Sequence, residues 1–474
     1  MPSAQPALSQ PATTGPGRNA LLPVVGADLP VPLVGGGRAR HVNLDYAASA
    51  PSLVTVAEEV ARLLPYSASV HRGAGFGSQV CTTVYEAARD EVGRFLGVRP
   101  DDTVVFTRNT TDAVNLLAHC VAHAVGPSAR VVVLDLEHHA NLLPWSALRR
   151  TVVATRPTAQ ETLDALAAAL CAEPTALLAV TGASNVTGER LPLARLADLA
   201  HEAGARLFVD AAQLAPHRPI DLAGLGIDYL ALSGHKLYAP FGAGALLGRR
   251  DWLDVAPPYL AGGGAVREVT LTSVDWADAP ARHEAGTPNL PGVAALAAAC
   301  RALAALPVGA LAAHDEELKG RLVRGLADLP GVRVLSLWPD AGPDPAPAAG
   351  APVTDSGPVG VVTFTLTGHH PDAAAYLAAE RGISLRAGRF CAHPLLHRLG
   401  APAGALRASV GVGSTAADVD ELLDALRSYL TRGPGWRYLP GPGGWVPTPD
   451  DRLLPDWAAA VPTAPTPAAS PCDT

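Results

Sequence analysis

The stretch that decides the fold joins two apolar runs, each of which ends in a side chain suited to chemistry. Residues 206–213 read RLFVDAAQ, and residues 228–236 read DYLALSGHK. If both runs are strands of one parallel sheet, Asp210 and Lys236 lie at the same edge. In open α/β sheets, ligands bind at the edge formed by the carboxyl ends of the strands. The stretch therefore predicts an acid and an amine in one ligand site.

Lysine is rare in this chain, which makes Lys236 a candidate catalytic residue. The chain has two lysines, Lys236 and Lys319, and arginine supplies its other permanent positive charges. An amine can form a Schiff base with a carbonyl group, and a guanidinium cannot. Lys319 lies in HDEELKGRL, residues 314–322, which has the pattern of a charged amphipathic helix. We therefore expect Lys319 to be solvated.

Composition excludes several classes of protein. With 474 residues the chain can bury a large core and form two domains, and its net charge of −8 argues against a nucleic-acid partner. Apolar runs are broken by charge or proline before they could span a bilayer. The first residues lack a basic region followed by an apolar core, so a secretory signal is not expected. The six cysteines are scattered without a CxxC pair, which predicts reduced thiols in the cytoplasm and no zinc site.

Helical and strand patterns alternate up to about Pro291, which predicts a mostly parallel sheet with helices on both faces. The later pattern predicts a smaller α+β domain. Composition marks the ends of the chain as rich in proline and glycine. The predicted division is a flexible leader (1–34), a segment packing with the small domain (35–60), a large domain (61–292), a small domain (293–431, with a surface insertion at 340–357) and an irregular proline-rich tail (432–474).

Two motifs, VDAAQ at 209–213 and SGHK at 233–236, resemble those of class V aminotransferase-like enzymes that use pyridoxal phosphate (PLP). The resemblance is closest to the cysteine desulfurase and selenocysteine lyase family. Its other motifs follow in order between about residues 42 and 430: NLDYAA (43–48), EHHAN (137–141), EAGTPN (284–289) and RAS (407–409). The resemblance implies an α/β protein of PLP fold type I. Such a protein has a large domain with a mainly parallel sheet and a smaller α+β C-terminal domain.

An acid beside a lysine suits PLP, because an anion keeps the pyridinium nitrogen protonated and the ring electron-withdrawing. The resemblance implies that Lys236 holds the cofactor, that Asp210 pairs with the ring nitrogen and that His138 stacks on the ring. Further contacts to the phosphate, the phenolic oxygen and the underside of the ring are implied for Thr110, Thr111, Ser233, His235, Asn185, Gln213 and Ala212.

Residues 107–115 read TRNTTDAVN and join a predicted strand to a predicted helix. Unpaired N–H groups at a helix N-terminus favour phosphate, although a threonine that only caps the helix would explain the same pattern. Asn109 stands where the family has a glycine, a position at which Asn tolerates a positive φ. In the EAGTPN segment, the resemblance implies that Thr287 reaches the phosphate of a neighbouring subunit, so we expect a homodimer.

A substrate carboxylate is best held by a bidentate arginine. The resemblance implies this role for Arg407, with further substrate contacts from Ala48, Asn185 and Arg386. Residues 385–394 read LRAGRFCAHP and place Cys391 where the family's desulfurases carry the cysteine that takes up sulfur as a persulfide. Positive charge nearby, from Arg386, Arg389 and His393, would favour a thiolate. The family's Gly-His-His-Cys is here Gly-Arg-Phe-Cys.

The leading hypothesis is therefore a PLP-dependent cysteine desulfurase. In it, Lys236 moves the α-proton of L-cysteine, Cys391 takes the sulfur, alanine is released and a further protein accepts the sulfur. One alternative is transamination, epimerisation or C–S lysis, which would need Lys236 but not Cys391. A second is a biosynthetic enzyme for another sulfur-containing metabolite. A third is a non-catalytic scaffold, against which the set Asp210, Lys236, His138 and Arg407 argues.

Overall fold

The computed structural model describes residues 20–338, 357–368, 370–441 and 443–459. Its strands are β1 (Pro30–Pro32), β2 (Arg38–Arg40), β3 (Val42–Asn43), β4 (Thr103–Thr107), β5 (Arg130–Leu134), β6 (Arg149–Val153), β7 (Leu177–Thr181), β8 (Arg206–Asp210), β9 (Tyr229–Ser233), β10 (Gly244–Gly248), β11 (Val266–Val269), β12 (Val274–Trp276), β13 (Val332–Val334), β14 (Val361–Leu366), β15 (Ile383–Ser384), β16 (Arg386–Gly388), β17 (Ala405–Ser409), β18 (Tyr438–Gly441) and β19 (Gly444–Pro447).

The α-helices are α1 (Val54–Leu63), α2 (Phe76–Phe95), α3 (Thr110–Ala124), α4 (His139–Leu142), α5 (Ala159–Ala172), α6 (Leu193–Glu202), α7 (Asp251–Val255), α8 (Leu290–Ala304), α9 (Ala310–Ala327), α10 (Ala373–Arg381), α11 (His393–Arg398), α12 (Ala416–Arg432) and α13 (Asp456–Ala459). Short 3₁₀ helices lie at Leu64–Tyr66, Pro144–Ala147 and Ala281–His283. Helices within the described ranges are too short or too polar to cross a bilayer.

A seven-stranded sheet in the order β4-β10-β9-β8-β7-β5-β6 forms the centre of the large domain. Neighbouring strands from β9 to β6 are parallel, and β10 runs antiparallel to both β4 and β9. Alternate side chains along β8 enter different cores, since Leu207 and Val209 pack in one hydrophobic cluster and Phe208 in another. Helices therefore cover both faces of the sheet, and the predicted mostly parallel α/β architecture is confirmed.

Strands β7, β8 and β9 end at one edge of this sheet. Asp210, the last residue of β8, lies opposite Thr181 of β7 on one side and Ala231 of β9 on the other. Lys236 follows β9 by three residues, so the edge that holds Asp210 is also the edge where Lys236 lies. The register thus brings the two halves of the motif stretch together.

The C-terminal part of the chain forms a second core around a four-stranded sheet in the order β13-β14-β17-β16. Leu318 of α9, Tyr376 of α10 and Leu422 of α12 pack in the same cluster as Phe364 of β14. The N-terminal strand β3 pairs in parallel with β15, so the segment that precedes the large domain contacts the small one. Helix α8, which the predicted boundary at 293 gave to the small domain, packs on α1 and α2 within the large-domain core instead.

Both chain ends are more ordered than composition predicted over their described parts. In the segment expected to be a flexible leader, Leu22 donates its backbone N–H to Val412 O at 3.0 Å, and β1 pairs with β2. In the tail expected to be irregular, β18 and β19 form a hairpin. Glu380 holds the start of the tail by accepting hydrogen bonds from the backbone N–H groups of Gly435 and Trp436. The predicted insertion lies outside the described residues except for Gly357.

Lys319 is not solvated, contrary to the expectation from its helical pattern. It is partly buried on α9, and burial lowers the pKa of its amine to about 8. The negative charges of Glu189 and Asp315 partly oppose that shift. Amphipathic periodicity identified the helix but not the burial of Lys319 near Glu189 of the large domain.

Candidate active site

One cavity of about 290 Å³ lies at the sheet edge where β8 and β9 end. All the predicted site residues except Thr287 line it: Ala48, Thr110, Thr111, His138, Asn185, Asp210, Ala212, Gln213, Ser233, His235, Lys236, Arg386, Cys391 and Arg407. They come from the large domain, the small domain and the N-terminal segment. The cavity is therefore formed where these three parts meet.

Asp210 and Lys236 supply opposite charges in a nearly dry environment. Asp210 is 3% exposed and accepts a hydrogen bond from Ala212 N at 3.0 Å. Burial raises the pKa of Asp210 and lowers the pKa of Lys236, and each charge partly opposes the shift of the other. The lowered pKa increases the share of neutral Lys236 amine at neutral pH, which is the form that can bond to a carbonyl carbon.

Hydroxyl and amide groups converge where β4 turns into α3. Thr110 donates its N–H to Ser233 Oγ at 2.8 Å, and the two hydroxyls are also 2.8 Å apart. Asn109 caps α3 by accepting from Asp112 N at 3.0 Å, so the cap is Asn109 and not a threonine. Its φ is −173°, so the expected tolerance of a positive φ is not used. The helix N-terminus and the hydroxyls together suit an anion such as phosphate.

Gly244 allows β10 to pass close to this turn. A Cβ at residue 244 would lie 2.6 Å from Leu232 O and 2.8 Å from Asn109 Cα. Both of these are backbone atoms, which cannot move aside cheaply. A side chain at residue 244 would therefore push β10 away from this turn.

His138 follows β5 and is held as a neutral ring. Its Nδ1 accepts a hydrogen bond from Ala140 N at 3.0 Å. Burial lowers the pKa of His138 to about 3, and the charges of Lys236 and Arg407 act in the same direction. A neutral imidazole with Nδ1 as acceptor therefore lines the cavity without adding positive charge.

Cys391 lies on a loop that bends sharply and is fixed by its backbone. Phe390 and Cys391 have φ values of 53° and 51°, the left-handed region that non-glycine residues seldom adopt. Asn185 Nδ2 donates to Phe390 O at 2.8 Å, and His139 N donates to Cys391 O at 2.8 Å. These bonds compensate the strained backbone and orient the thiol toward the cavity.

Two arginines on adjacent strands, Arg386 of β16 and Arg407 of β17, form one wall of the cavity. Arg407 is 4% exposed, donates to Asn185 O at 3.0 Å and lies 5.0 Å from the centroid of the Phe390 ring. Burial lowers the pKa of Arg407 to about 10. Within the described ranges, its buried Nε has no hydrogen-bond partner. An anion in the cavity would satisfy that N–H group.

Thr287 is exposed and does not line the cavity of its own chain. The segment that carries it is fixed at Glu284, whose carboxylate accepts hydrogen bonds from Tyr85 OH at 2.9 Å and from Arg89 Nη1 at 2.8 Å. Glu284 also accepts from Phe106 N at 2.6 Å. The segment is thus anchored firmly to α2 and β4, while its tip remains at the surface.

We expect Glu284→Ala to lower the free energy of unfolding by about 2 kcal/mol, because the mostly buried Arg89 loses its buried carboxylate partner and keeps only the exposed carboxylate of Glu86. Denaturant unfolding of the purified protein measures the effect. Glu268→Ala, on the exposed strand β11, is the matched control and should change stability by less than about 0.5 kcal/mol. Equal losses in the two variants would contradict this role of Glu284.

The comparisons with known proteins agree with this geometry. A model of the class V aminotransferase family matches residues 42–422. The chain belongs to this family. It is 36% identical over 417 residues to "Probable cysteine desulfurase 2" of Mycobacterium leprae, covering 85% of this chain and 95% of the relative. It is 38% identical over 396 residues to "Cysteine desulfurase CsdA" of Escherichia coli, covering 82% of this chain and 94% of the relative.

Solved structures lead to the same family. A crystal structure of Escherichia coli CsdA matches with a TM-score of 0.72 at 36% identity, covering 82% of this chain and 94% of that chain. An apo cysteine desulfurase from Thermococcus onnurineus NA1 matches with a TM-score of 0.72 at 31% identity, covering 83% and 95%. PLP fold type I is confirmed, and this class V aminotransferase family member is a PLP-dependent enzyme.

The residues of this class V family member fit PLP on structural grounds. The cavity offers an amine beside a buried carboxylate, a helix N-terminus with hydroxyls and a neutral imidazole. The buried Nε of Arg407 remains for an anionic group of the substrate. The cavity therefore has a carboxylate for the ring nitrogen of PLP, a helix N-terminus for its phosphate and a guanidinium for the carboxylate of an amino acid.

Sequence reasoning missed two residues that contribute to this site. Phe390 lines the cavity against Arg407, and Asp45 forms ion pairs with both Arg386 and Arg407. Asp45 lies inside the NLDYAA motif, so its acidic side chain was a visible signal. No local pattern relates it to arginines more than 300 residues away.

The pKa of His138 predicts how stability depends on pH. Its folded value, about 3, lies below the ordinary 6.5, so the unfolded chain binds a proton first as the pH falls. Between pH 6.5 and about 5, this histidine alone should lower the free energy of unfolding by about 1.5 kcal/mol. Denaturant midpoints at both pH values should show a smaller loss in His138→Gln than in the unsubstituted protein. Equal losses would contradict the prediction, and His123→Gln, on the surface of α3, serves as the control.

Proposed function

We propose that this enzyme is a cysteine desulfurase, which removes sulfur from L-cysteine through Cys391 and gives alanine. The observation that carries the proposal is that Lys236, Arg407 and Cys391 line one cavity. These are an amine, a carboxylate-binding group and a thiol, and each has a separate task in such a reaction. The names of the relatives from Mycobacterium leprae and Escherichia coli support the same activity.

Lys236 would hold PLP, Asp210 would pair with its ring nitrogen and His138 would stack on the ring. Ser233, His235 and the N-terminus of α3, including Thr110 and Thr111, would hold the phosphate, with Asn185, Gln213 and Ala212 around the ring. When bound, PLP supplies an electron sink for negative charge at the substrate α-carbon. Asp210 supports that chemistry, since a buried carboxylate is an anion that water does not screen.

Arg407 orients the substrate. Its Nε would bind the α-carboxylate, while Ala48, Asn185 and Arg386 border the same space. Because Arg407 is fixed by Asn185 O and the Phe390 ring, little ordering is needed when the substrate arrives. Orientation would place the substrate α-proton at Lys236 and the side chain toward Cys391.

Lys236 and Cys391 carry out the transfers. The Lys236 amine, with its pKa lowered by burial, would take the α-proton and return a proton to the carbon product. The Cys391 thiolate would attack the substrate sulfur, so that an S–S bond forms while the carbon–sulfur bond breaks and its electron pair stays with carbon. Cys391 is close enough to Lys236 and Arg407 for its charge to raise the pKa of both amino and guanidino groups. The Arg407 guanidinium therefore favours the thiolate of Cys391.

We further propose a homodimer in which the exposed Thr287 reaches the phosphate site of the neighbouring subunit, and a protein that accepts the sulfur in the cytoplasm. The exposure of Thr287 and the firm anchoring of its segment at Glu284 support the first part. We also propose a division into a large domain and a small domain, with the boundary moved from residue 293 to the end of α8.

The test is to incubate the PLP-loaded protein with L-cysteine and a reductant. We expect alanine and sulfide in equal amounts. Pyruvate in place of alanine would contradict the proposal and favour C–S lysis without an enzyme persulfide. No reaction in a protein that binds PLP would mean that its amino-acid substrate is not cysteine.

A further inference from the structure

Asp45 joins the two arginines of the cavity wall through one carboxylate. Its Oδ2 lies 2.9 Å from Arg386 Nη2, and its Oδ1 lies 3.3 Å from Arg407 Nη2. Asp45 reaches them from the N-terminal segment, where its backbone forms a parallel bridge with Ser409 at the end of β17. In the part of the chain that the structure describes, no other carboxylate forms an ion pair with either arginine.

The three residues differ in access to the cavity. Arg386 and Arg407 line the cavity, and Asp45 does not. The Arg386 side chain is 44% exposed, whereas that of Arg407 is 4% exposed and keeps a buried Nε for a ligand. Arg386 therefore has the freedom to turn toward a second anionic group, and its ion pair with Asp45 restrains it.

The net positive charge of Asp45, Arg386 and Arg407 together can be neutralised by one substrate carboxylate. Two guanidinium groups and one carboxylate leave a net charge of one, which the α-carboxylate of an amino acid neutralises. A second carboxylate on the substrate side chain would have to displace Asp45 from Arg386 or remain unpaired, and either is unfavourable. A neutral side chain meets no such cost.

We propose that Asp45 is a positioning residue that sets amino-acid selectivity: by engaging Arg386, it leaves the arginine pair able to bind one carboxylate and disfavours amino acids whose side chain carries another. This inference rests on the part of the proposed function in which Arg407 binds the substrate α-carboxylate. Replacing Asp45 by asparagine releases Arg386 while keeping the size of the side chain.

The experiment measures binding of L-alanine and L-aspartate to the PLP-loaded full-length protein from the change in its absorbance spectrum. We expect the unsubstituted protein to prefer L-alanine. In Asp45→Asn, the ratio of the two dissociation constants should shift by about tenfold toward L-aspartate, the size of one charge-assisted hydrogen bond. Asp45→Glu should keep the original preference, and so should Asp420→Asn, an exposed residue paired with Arg321.

The double variant Asp45→Asn/Arg386→Gln removes one charge of each sign and should restore the preference for L-alanine. If Asp45→Asn does not fold, Arg386→Gln alone tests the inference. This variant leaves Arg407 and Asp45 with no net charge, so it should weaken the binding of L-aspartate more than the binding of L-alanine. Equal changes for both amino acids, in either single variant, would overturn the inference. Neither probe contains sulfur, so a failure to form alanine from L-cysteine would contradict the proposed function separately.

Discussion

Lys236→Ala is expected to lower the rate of alanine formation from L-cysteine by about 10³-fold or more, because Lys236 is assigned both the attachment of PLP and the movement of the α-proton. Its amine is the one that lies at the cavity, beside Asp210, with a pKa lowered by burial. Water cannot replace an amine held at that position. The rate is measured as alanine released by PLP-loaded protein.

The chain offers a matched control in its other lysine. Lys319→Ala removes an amine that is also partly buried and has a lowered pKa, but lies on α9 outside the cavity. We expect this variant to keep its activity. Reduction of the PLP-loaded protein with borohydride, followed by peptide mapping, should place the cofactor on Lys236. Cofactor on Lys319, or similar rates in both variants, would contradict the assignment.

Cys391→Ser is expected to lower the rate of desulfuration by about 10³-fold while leaving PLP bound, because a hydroxyl is a far weaker nucleophile toward sulfur than a thiolate. The substitution keeps the shape of the side chain, and the backbone bonds that fix the loop do not involve it. Alanine and sulfide release from L-cysteine give the rate. The control is Cys171→Ser, at an exposed thiol of α5 outside the cavity.

Equal turnover in the unsubstituted protein and in Cys391→Ser would show that the loop cysteine is structural. Arg389 and Phe390 stand where related enzymes carry a histidine pair. Equal turnover would therefore favour a reaction in which Cys391 takes up no sulfur. Phe390 has a different task in this structure, since its ring packs against Arg407 and its carbonyl accepts from Asn185. The loop is therefore held in place without the histidines.

The central sheet could be predicted from sequence because its strands are buried on both faces. Strands β8 and β9 lie at Arg206–Asp210 and Tyr229–Ser233, within the two apolar runs from which strands were predicted, since apolar runs bounded by turns leave little freedom at their ends. The positions of the site residues at the strand ends follow from the positions of the strands. A parallel sheet gathers successive strand ends at one edge, so motifs distant in sequence converge without any further information.

Features that depend on contacts between domains could not be predicted in this way. The ion pairs of Asp45, the partial burial of Lys319 and the placement of α8 each depend on packing between segments remote in sequence. The order of the tail likewise depends on Glu380, which lies on α10. Composition describes the tail as rich in proline but carries no information about the carboxylate that fixes it.

The most direct test of the account is the mass of the peptide that contains Cys391 after the PLP-loaded protein has reacted with L-cysteine in the absence of a reductant. We expect this peptide to gain the mass of one sulfur atom, and a reductant to remove it. Alanine formed without any added sulfur on Cys391, or with sulfur on another cysteine, would contradict the proposed persulfide mechanism.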